Sequence, residues 1–239
     1  MKLLVIGGAG LVGGLVLPAI AQRHALRVFD RQPPTDPGWE YVAGDVGDLD
    51  ALVAAAAGCD ALLYMAMGHK IYDTALGITS NFDVNVKGVY LALDAAQRNG
   101  IRHAVYTSSM SVYAHNLEDR PLQGEDLPPD SHGLYGLTKR LGEEVCRNAA
   151  HAWGMSINAL RLYLPMPEDE WQAFAQAHQP TFATTANDVA RAILAALEYR
   201  DGFQAFTITG DYAEQHMLME KARRLLGWQP LARPQTKSE

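Results

Sequence analysis

The sequence predicts an α/β protein: a doubly wound parallel sheet flanked by helices, with a small, reduced C-terminal lobe. Three observations lead there. Short apolar runs alternate with longer helical patterns, as in successive βαβ units. The runs are apolar on both faces, as strands buried in a parallel sheet are. The first run passes straight into a glycine-rich turn and then a helix.

Taken in order, residues 3–6 form the first strand and 11–24 the first helix. Residues 26–29 form the second strand, followed by a turn-rich stretch, 32–38, that contains Pro33, Pro34 and Pro37. A third strand covers 40–43, a helix 49–57 and a fourth strand 61–66. A long helix runs from 81 to 98 and stops at Asn99-Gly100, a good C-terminal signal. The fifth strand is 104–108, and the acidic, proline-containing stretch 114–130 reads as an exposed loop near the site. A helix over 133–152 leads to the sixth strand, 156–162. Helices over 168–178 and 188–199, a last strand over 203–209, a last helix over 213–226 and a polar, frayed tail from 235 complete the chain.

A length of 239 residues suits one domain with a small appendage. The net charge is −7, so no basic field exists to hold a phosphate backbone, and nucleic-acid binding is not expected. Cys59 and Cys146 match no zinc or redox spacing and read as buried small hydrophobes in a reducing compartment. The 8 histidines are scattered without ligand spacing, so no metal is expected. The apolar run after Met1-Lys2 is interrupted by glycine with no Ala-x-Ala site after it. No stretch approaches the roughly 18 apolar residues of a membrane span. The expectation is a soluble, cytoplasmic protein.

Gly7-Gly8-Ala9-Gly10-Leu11-Val12-Gly13 follows the first strand. Glycines there allow a tight turn and bring backbone N–H groups to a pyrophosphate at a helix N-terminus, where the dipole favours anions. A glycine-rich turn without a ligand is the alternative. The second strand ends in Asp30, placed about twenty residues on, where a carboxylate can accept both ribose hydroxyls. That acid would repel a 2′-phosphate, so NAD is expected rather than NADP. Arg31, which can stack on adenine or pair with a 2′-phosphate, keeps NADP open. Asp45-Val46, past the third strand, either accepts a bond from the adenine amino group or caps a helix.

Tyr135-Gly136-Leu137-Thr138-Lys139 sets a phenol and an ammonium four residues apart on one helix face. A free tyrosine titrates near 10, and a fixed positive charge within a few ångströms lowers that value towards working pH. The fifth strand ends in Thr107-Ser108-Ser109-Met110-Ser111-Val112-Tyr113. A hydroxyl at a strand's carboxyl end lies where open α/β sheets bind ligands.

The order of these features resembles the extended short-chain dehydrogenases, the NAD-dependent epimerase/dehydratase family. Further matches are Asn85-Val86-Lys87-Gly88, Ile101 to Tyr106, Arg161 ending strand six, Asn187-Asp188-Val189-Ala190 and Leu226 to Pro230. The resemblance implies a Rossmann fold binding NAD in residues 1–164 and a substrate lobe in 165–239 interleaved with the last strand. It also implies a homodimer through the two long helices. By that likeness Ser109, Tyr135, Lys139 and Asn85 are the catalytic set, with Tyr113 in a structural or pocket role. Gly7, Gly10, Leu11, Val12, Asp30, Arg31, Asp45 and Val46 would hold the cofactor, together with Met65, Ala66, Tyr135, Lys139, Leu162 and Tyr163. The expected reaction is hydride transfer at a secondary alcohol or ketone carbon of a small sugar-like molecule, whether by simple oxidation or by epimerisation.

Departures narrow this. Family dehydratases carry Asp-Glu after the catalytic hydroxyl residue; Met110-Ser111 stands here, which disfavours water elimination. About 25 residues separate strand six from Asp188, too few for a large nucleotide-sugar lobe, so a sugar, sugar acid or other polyol is expected. A likeness to uronate dehydrogenases lies in Pro128, Gly133 to Gly136 and Gly227-Trp228 with Pro230. Those hold a carboxylate with an arginine, whereas Pro165 to Trp171 is acidic here, leaving Lys70 or Arg120 to reach in. His69 and His132 could touch substrate or serve the surface. Trp171 and Phe174 read as core before pocket wall. A different class of reading is an NAD(P)-sensing regulatory protein of the same fold; such relatives commonly lose the tyrosine or the lysine, and both are present here.

Overall fold

The computed structural model describes residues 1–114 and 125–235. Strands β1 (Lys2–Ile6), β2 (Ala25–Asp30), β3 (Glu40–Ala43), β4 (Ala61–Tyr64), β5 (His103–Ser109), β6 (Ser156–Leu162) and β9 (Phe203–Ile208) form one sheet of order β3-β2-β1-β4-β5-β6-β9. Every pairing is parallel. The chain winds outward from β1 to β3, then returns to β4 on the other side of β1. The carboxyl ends of β1 and β4 therefore frame the switch point, the place where such sheets bind ligands.

Both faces are buried, as the unbroken apolar strands require. Leu3 and Val5 point to a core shared with α1 (Leu11–Ala21) and α7 (Ala186–Glu198). Leu4 and Ile6 point to the other core, with α2 (Leu49–Ala56), α4 (Val89–Arg98) and α5 (Leu134–Trp153). This is the period-2 alternation of a strand covered on both sides.

Three elements differ from expectation. The helix expected from 81 begins as α3 (Ala75–Phe82), capped by Thr74 through the Gly77 N–H at 3.1 Å, and runs through a π-helical turn, Asp83–Gly88, into α4. The fourth strand ends at Tyr64, because Gly68 and His69 turn away to bond with the helix that follows. Residues 213–219 are not helical. The Asp211 carboxylate collects the N–H groups of Gln215, His216 and Met217 at 3.1, 2.8 and 3.0 Å, a closed loop that competes with helix formation. Helix resumes only at 220–226.

Beyond β6, the short strands β7 (Pro165–Met166) and β8 (Thr184–Thr185) pair with each other, and α6 (Glu168–Ala177) packs beside them. Trp171 is fully buried and donates to the Ala183 carbonyl at 2.6 Å. Glu168, Asp169 and Glu170 occupy the first turn of α6, where the helix dipole stabilises acids. That accounts for the acidity of this stretch without a ligand. No helix among the described residues is long and apolar enough to cross a membrane.

Candidate active site

The glycine turn is built for close approach. Gly7 adopts φ +79°, and a Cβ on it would lie 2.4 Å from the Ala66 backbone, so the turn is pressed against the end of β4. A Cβ on Gly13 would lie 2.1 Å from the Gly8 carbonyl, which lets α1 start directly over β1. Gly10, the N-cap of α1, differs: its Cβ would meet only the Gly7 carbonyl, at 3.3 Å. No side chain caps that helix end, and its first turn holds no acid. The amide donors at the start of α1 are thus open to an anion. Leu11 is exposed there, while Val12 packs on the core.

Asp30, at the end of β2, accepts the Ala9 N–H at 3.0 Å and the Gln32 N–H at 3.3 Å, so its carboxylate sits beside the glycine turn, and Arg31 next to it is exposed. Asp45 is exposed and accepts the Gly47 N–H at 2.8 Å; the cap of α2 is Asp48, through the Ala51 N–H at 3.0 Å. Val46 packs on the core close to Gly88. Met65 and Ala66 follow β4, with the Met65 N–H on the Ile6 carbonyl at 2.8 Å. Leu162 is buried core, and Tyr163 lies half-buried past β6 with its ring edge-on to Phe182.

The two candidate catalytic hydroxyls, of Ser109 and Tyr135, lie at the end of β5. The Tyr135 phenol lies near enough to the Ser109 side chain for that hydroxyl to favour its ionised form, and the Ser109 hydroxyl accepts the Ser111 N–H at 3.1 Å. Gly136 makes this possible, since a Cβ there would lie 2.0 Å from the Ser111 carbonyl. Beside Tyr135 opens a cleft of about 510 Å³, walled by Tyr72, Met110, Tyr113 and Tyr163, with Ser111 and Ser131 among its polar groups.

The surroundings of Tyr135 depart from the expected phenol acidified by Lys139. Burial raises the Tyr135 phenol above its usual value, the Ser109 hydroxyl opposes that rise, and the Tyr72 ring adds to it. The Lys139 ammonium is not among these influences. It is buried and donates to the Thr107 carbonyl at 2.7 Å, above the Tyr106 ring. Four residues of helix put both groups on one face, and the lysine stem carries its ammonium to the strand backbone at Thr107. Burial brings this ammonium down to about 8.

Asn85, fully buried in the π-helical turn, accepts the Gly68 N–H at 3.0 Å and donates to Asn81 Oδ1 at 2.9 Å and Thr138 Oγ1 at 3.0 Å. Asn81 in turn donates to the His69 and Gly77 carbonyls at 2.8 and 2.9 Å. Sequence reasoning missed Asn81, although its spacing of four from Asn85 on a helix was the available signal. It also missed Glu143, one turn beyond Lys139. That carboxylate accepts the Ser108 hydroxyl at 2.6 Å and two bonds from Arg161, at 2.9 and 2.8 Å. Arg161 further donates to the Tyr113 hydroxyl and to the Glu125 carbonyl. His69 accepts the Ile71 N–H through Nδ1, Lys70 and His132 are exposed, and Arg120 lies outside the described residues.

A parallel sheet with this order, a bare glycine turn at its switch point and a tyrosine–serine pair at the end of β5 define the short-chain dehydrogenase/reductase class of enzymes. The family profile for the NAD dependent epimerase/dehydratase family matches residues 3–180. The chain belongs to that family. It is similar to the N-acetyl-alpha-D-glucosaminyl-diphospho-ditrans,octacis-undecaprenol 4-epimerase of Escherichia coli O157:H7, 32% identical over 146 residues, 61% of this chain and 43% of that protein. The uronate dehydrogenase of Agrobacterium fabrum is 29% identical over 170 residues, 70% of this chain and 62% of its own length. Among solved structures, a short-chain dehydrogenase/reductase superfamily protein from Agrobacterium tumefaciens with bound NAD superposes with a TM-score of 0.81 at 25% identity, over 98% of this chain and 93% of that one. The match spans less than two thirds of the length of these curated relatives.

Proposed function

We propose that the chain is an NAD-dependent oxidoreductase or epimerase acting at a secondary alcohol or ketone carbon of a small sugar-like substrate. The observation that carries this reading is the placement of Tyr135 on the wall of the cleft, beside the end of β5 where Ser109 stands. The glycine turn fits a dinucleotide: a Cβ on Gly10 would meet only the Gly7 carbonyl, at 3.3 Å, beside an uncapped helix end, and Asp30 stands next to the turn. Gly7, Gly10, Leu11 and Val12 would hold the diphosphate. Asp30 would hold the adenosine ribose, which favours NAD over NADP. Arg31, Asp45, Val46, Met65 and Ala66 would surround the adenosine, and Leu162 and Tyr163 the nicotinamide. NAD, when bound, accepts and returns a hydride.

The chain's own groups handle the proton. In oxidation Tyr135 acts as the phenolate, whose oxygen takes the substrate hydroxyl proton and so becomes the phenol; in reduction the phenol gives that proton back to the substrate oxygen. Ser109 Oγ orients the same substrate oxygen. Asn85 ties α5 to the loop after β4 and so holds Tyr135 in register with β5. Lys139 and Tyr135 would also contact the nicotinamide ribose, the Lys139 ammonium supplying positive charge at that end of the site.

A homodimer through α3–α4 and α5 is part of the proposal. Leu76, Ile78, Phe82 and Tyr90 are large apolar residues exposed on those helices, and light scattering checks the point. A cytoplasmic setting accords with two free, buried cysteines. The enzymatic reading is tested by following the nicotinamide absorbance band with aldoses, uronates and polyols, NAD and NADP in parallel. Tyr135→Phe is expected to remove turnover; turnover equal to wild type overturns the assignment.

A further inference from the structure

The loop between β4 and α3 turns an aromatic ring toward the catalytic tyrosine. Tyr72 lies with its ring centroid 5.9 Å from that of Tyr135, at an interplanar angle of 35°, and remains 40% exposed. It forms one wall of the cleft, with Met110, Leu134 and Tyr163 supplying further apolar surface and Ser111 and Ser131 supplying hydroxyls. The described lining contains no formally charged side chain.

The position of that ring is prescribed. The Gly68 N–H is held by Asn85, the His69 N–H by Ser80 Oγ at 3.0 Å, and the His69 carbonyl by Asn81. The Ile71 N–H folds back on His69 Nδ1 at 3.1 Å. The Ile71 carbonyl sits so close to α3 that a Cβ on Gly77 would lie 1.6 Å from it. Asn85 also bonds Thr138 on the catalytic helix. One buried amide pair therefore ties the backbone that leads to Tyr72 to the helix that carries Tyr135.

An exposed ring clamped beside a reacting hydroxyl offers a flat apolar platform. The carbon-bound hydrogens of a saturated ring pack on such a face, while the hydroxyls at its rim remain free for Ser109, Ser111 and Ser131. A carboxylate entering the same space would shed water with no cation among the described lining residues to receive it. We propose that Tyr72 is a specificity-determining residue that stacks on the face of an uncharged, cyclic secondary alcohol or ketone, so that the site selects neutral rings over acyclic polyols and over sugar acids. This rests on the hydride-transfer reading above.

The test uses the full chain with NAD and compares wild type, Tyr72→Ala, Tyr72→Phe and Tyr135→Phe. The substrates are neutral aldopyranoses, a cyclitol, sorbitol as the acyclic polyol and galacturonate as the acid. Wild type is expected to show its lowest KM with a neutral ring. Tyr72→Ala is expected to raise that KM about ten-fold with kcat within about two-fold, and Tyr72→Phe, which keeps the ring, to restore most of the affinity. NADH binding followed by fluorescence, and the melting temperature, should match wild type in both variants, which separates stacking from loss of structure. An unchanged KM in Tyr72→Ala, or galacturonate turned over better than its neutral counterpart, overturns the inference and leaves hydride transfer standing. Turnover in Tyr135→Phe equal to wild type, or no turnover by wild type on any of these substrates, overturns the underlying reading instead.

Discussion

The Lys139 ammonium is anchored 2.7 Å from the Thr107 carbonyl oxygen, on the strand that ends in Ser109. This bond ties the middle of α5 to β5, and it decides where the positive charge of the site resides. The charge sits within the wall between helix and sheet, at a place where ionisation is costly.

A pH dependence of stability follows. Burial lowers Lys139 from 10.5 to about 8. Below about 8 both folded and unfolded chains carry the proton, and the full cost of burying the charge stands. Between about 8 and 10.5 the unfolded chain binds a proton that the folded chain has released, so this group makes stability rise with pH across that window. The contribution is about 2 kcal/mol between roughly pH 8 and pH 10. Urea unfolding of wild type and Lys139→Met at several pH values in that window checks it. The difference between the two proteins should change with that slope, and a constant difference would sink the prediction.

Gly10→Ala separates folding from cofactor binding. The added methyl meets only the Gly7 carbonyl at 3.3 Å, so stability should change by less than about 1 kcal/mol. The same methyl stands over the open amides of α1, and NADH affinity should fall at least about ten-fold. Gly7→Ala, at φ +79° and 2.4 Å from the Ala66 backbone, should instead lose the fold. Thermal melts beside fluorescence titration distinguish the two; equal NADH affinity in Gly10→Ala and wild type would contradict the placement of the diphosphate.

Asp30→Ala should lower the preference for NAD over NADP by about ten-fold or more, because the carboxylate that repels a 2′-phosphate is gone while Arg31 remains. The measurement is kcat/KM with each cofactor, or their dissociation constants. Loss of the Ala9 N–H bond at 3.0 Å should also weaken binding of both. An unaltered preference would move the ribose away from this strand end.

Arg161 and Glu143 are 2% and 1% exposed and share two hydrogen bonds. Arg161→Met leaves the Glu143 carboxylate buried without its cation and should cost about 3–5 kcal/mol. The double variant Arg161→Met with Glu143→Leu removes both charges, and it should cost clearly less than the sum of the single changes. Denaturant unfolding of the four proteins in the cycle measures the coupling; additive costs would show that the pair acts independently.

Much of the scaffold was legible because its signals are local. An apolar run followed by Gly-x-x-Gly-x-x-Gly announces a strand, a turn and a helix start whatever else the chain does, and Gly7 takes the left-handed backbone that such a turn requires. The last helix was misread for a reason equally local but of opposite effect: Asp211 binds three amides that would otherwise enter a helix, and nothing in the apolar spacing reveals this. The π-helical turn at Asp83–Gly88 was also invisible, since such a turn is built from the same residue types as the α-helix on either side of it.

The site divides in the same way. Tyr135 and Lys139 were visible as a spaced pair, and Ser109 as a hydroxyl at a strand end, because each depends on a few neighbouring positions. Asn85 meeting Thr138 joins residues 53 positions apart, and Ser108 meeting Glu143 joins residues 35 apart. Tyr72 beside Tyr135 depends on a loop whose path is set by buried amides. Strand and helix periodicity, the glycine turn and the residue types able to move a proton were written in the chain, since those are properties of short stretches. Folding was needed to turn Lys139 to Thr107, to pair Arg161 with Glu143 and to bring Tyr72 to the cleft. Such partnerships follow from sheet order and from the cost of leaving a buried polar group unbonded, which draws most of them to a partner wherever in the chain it arises.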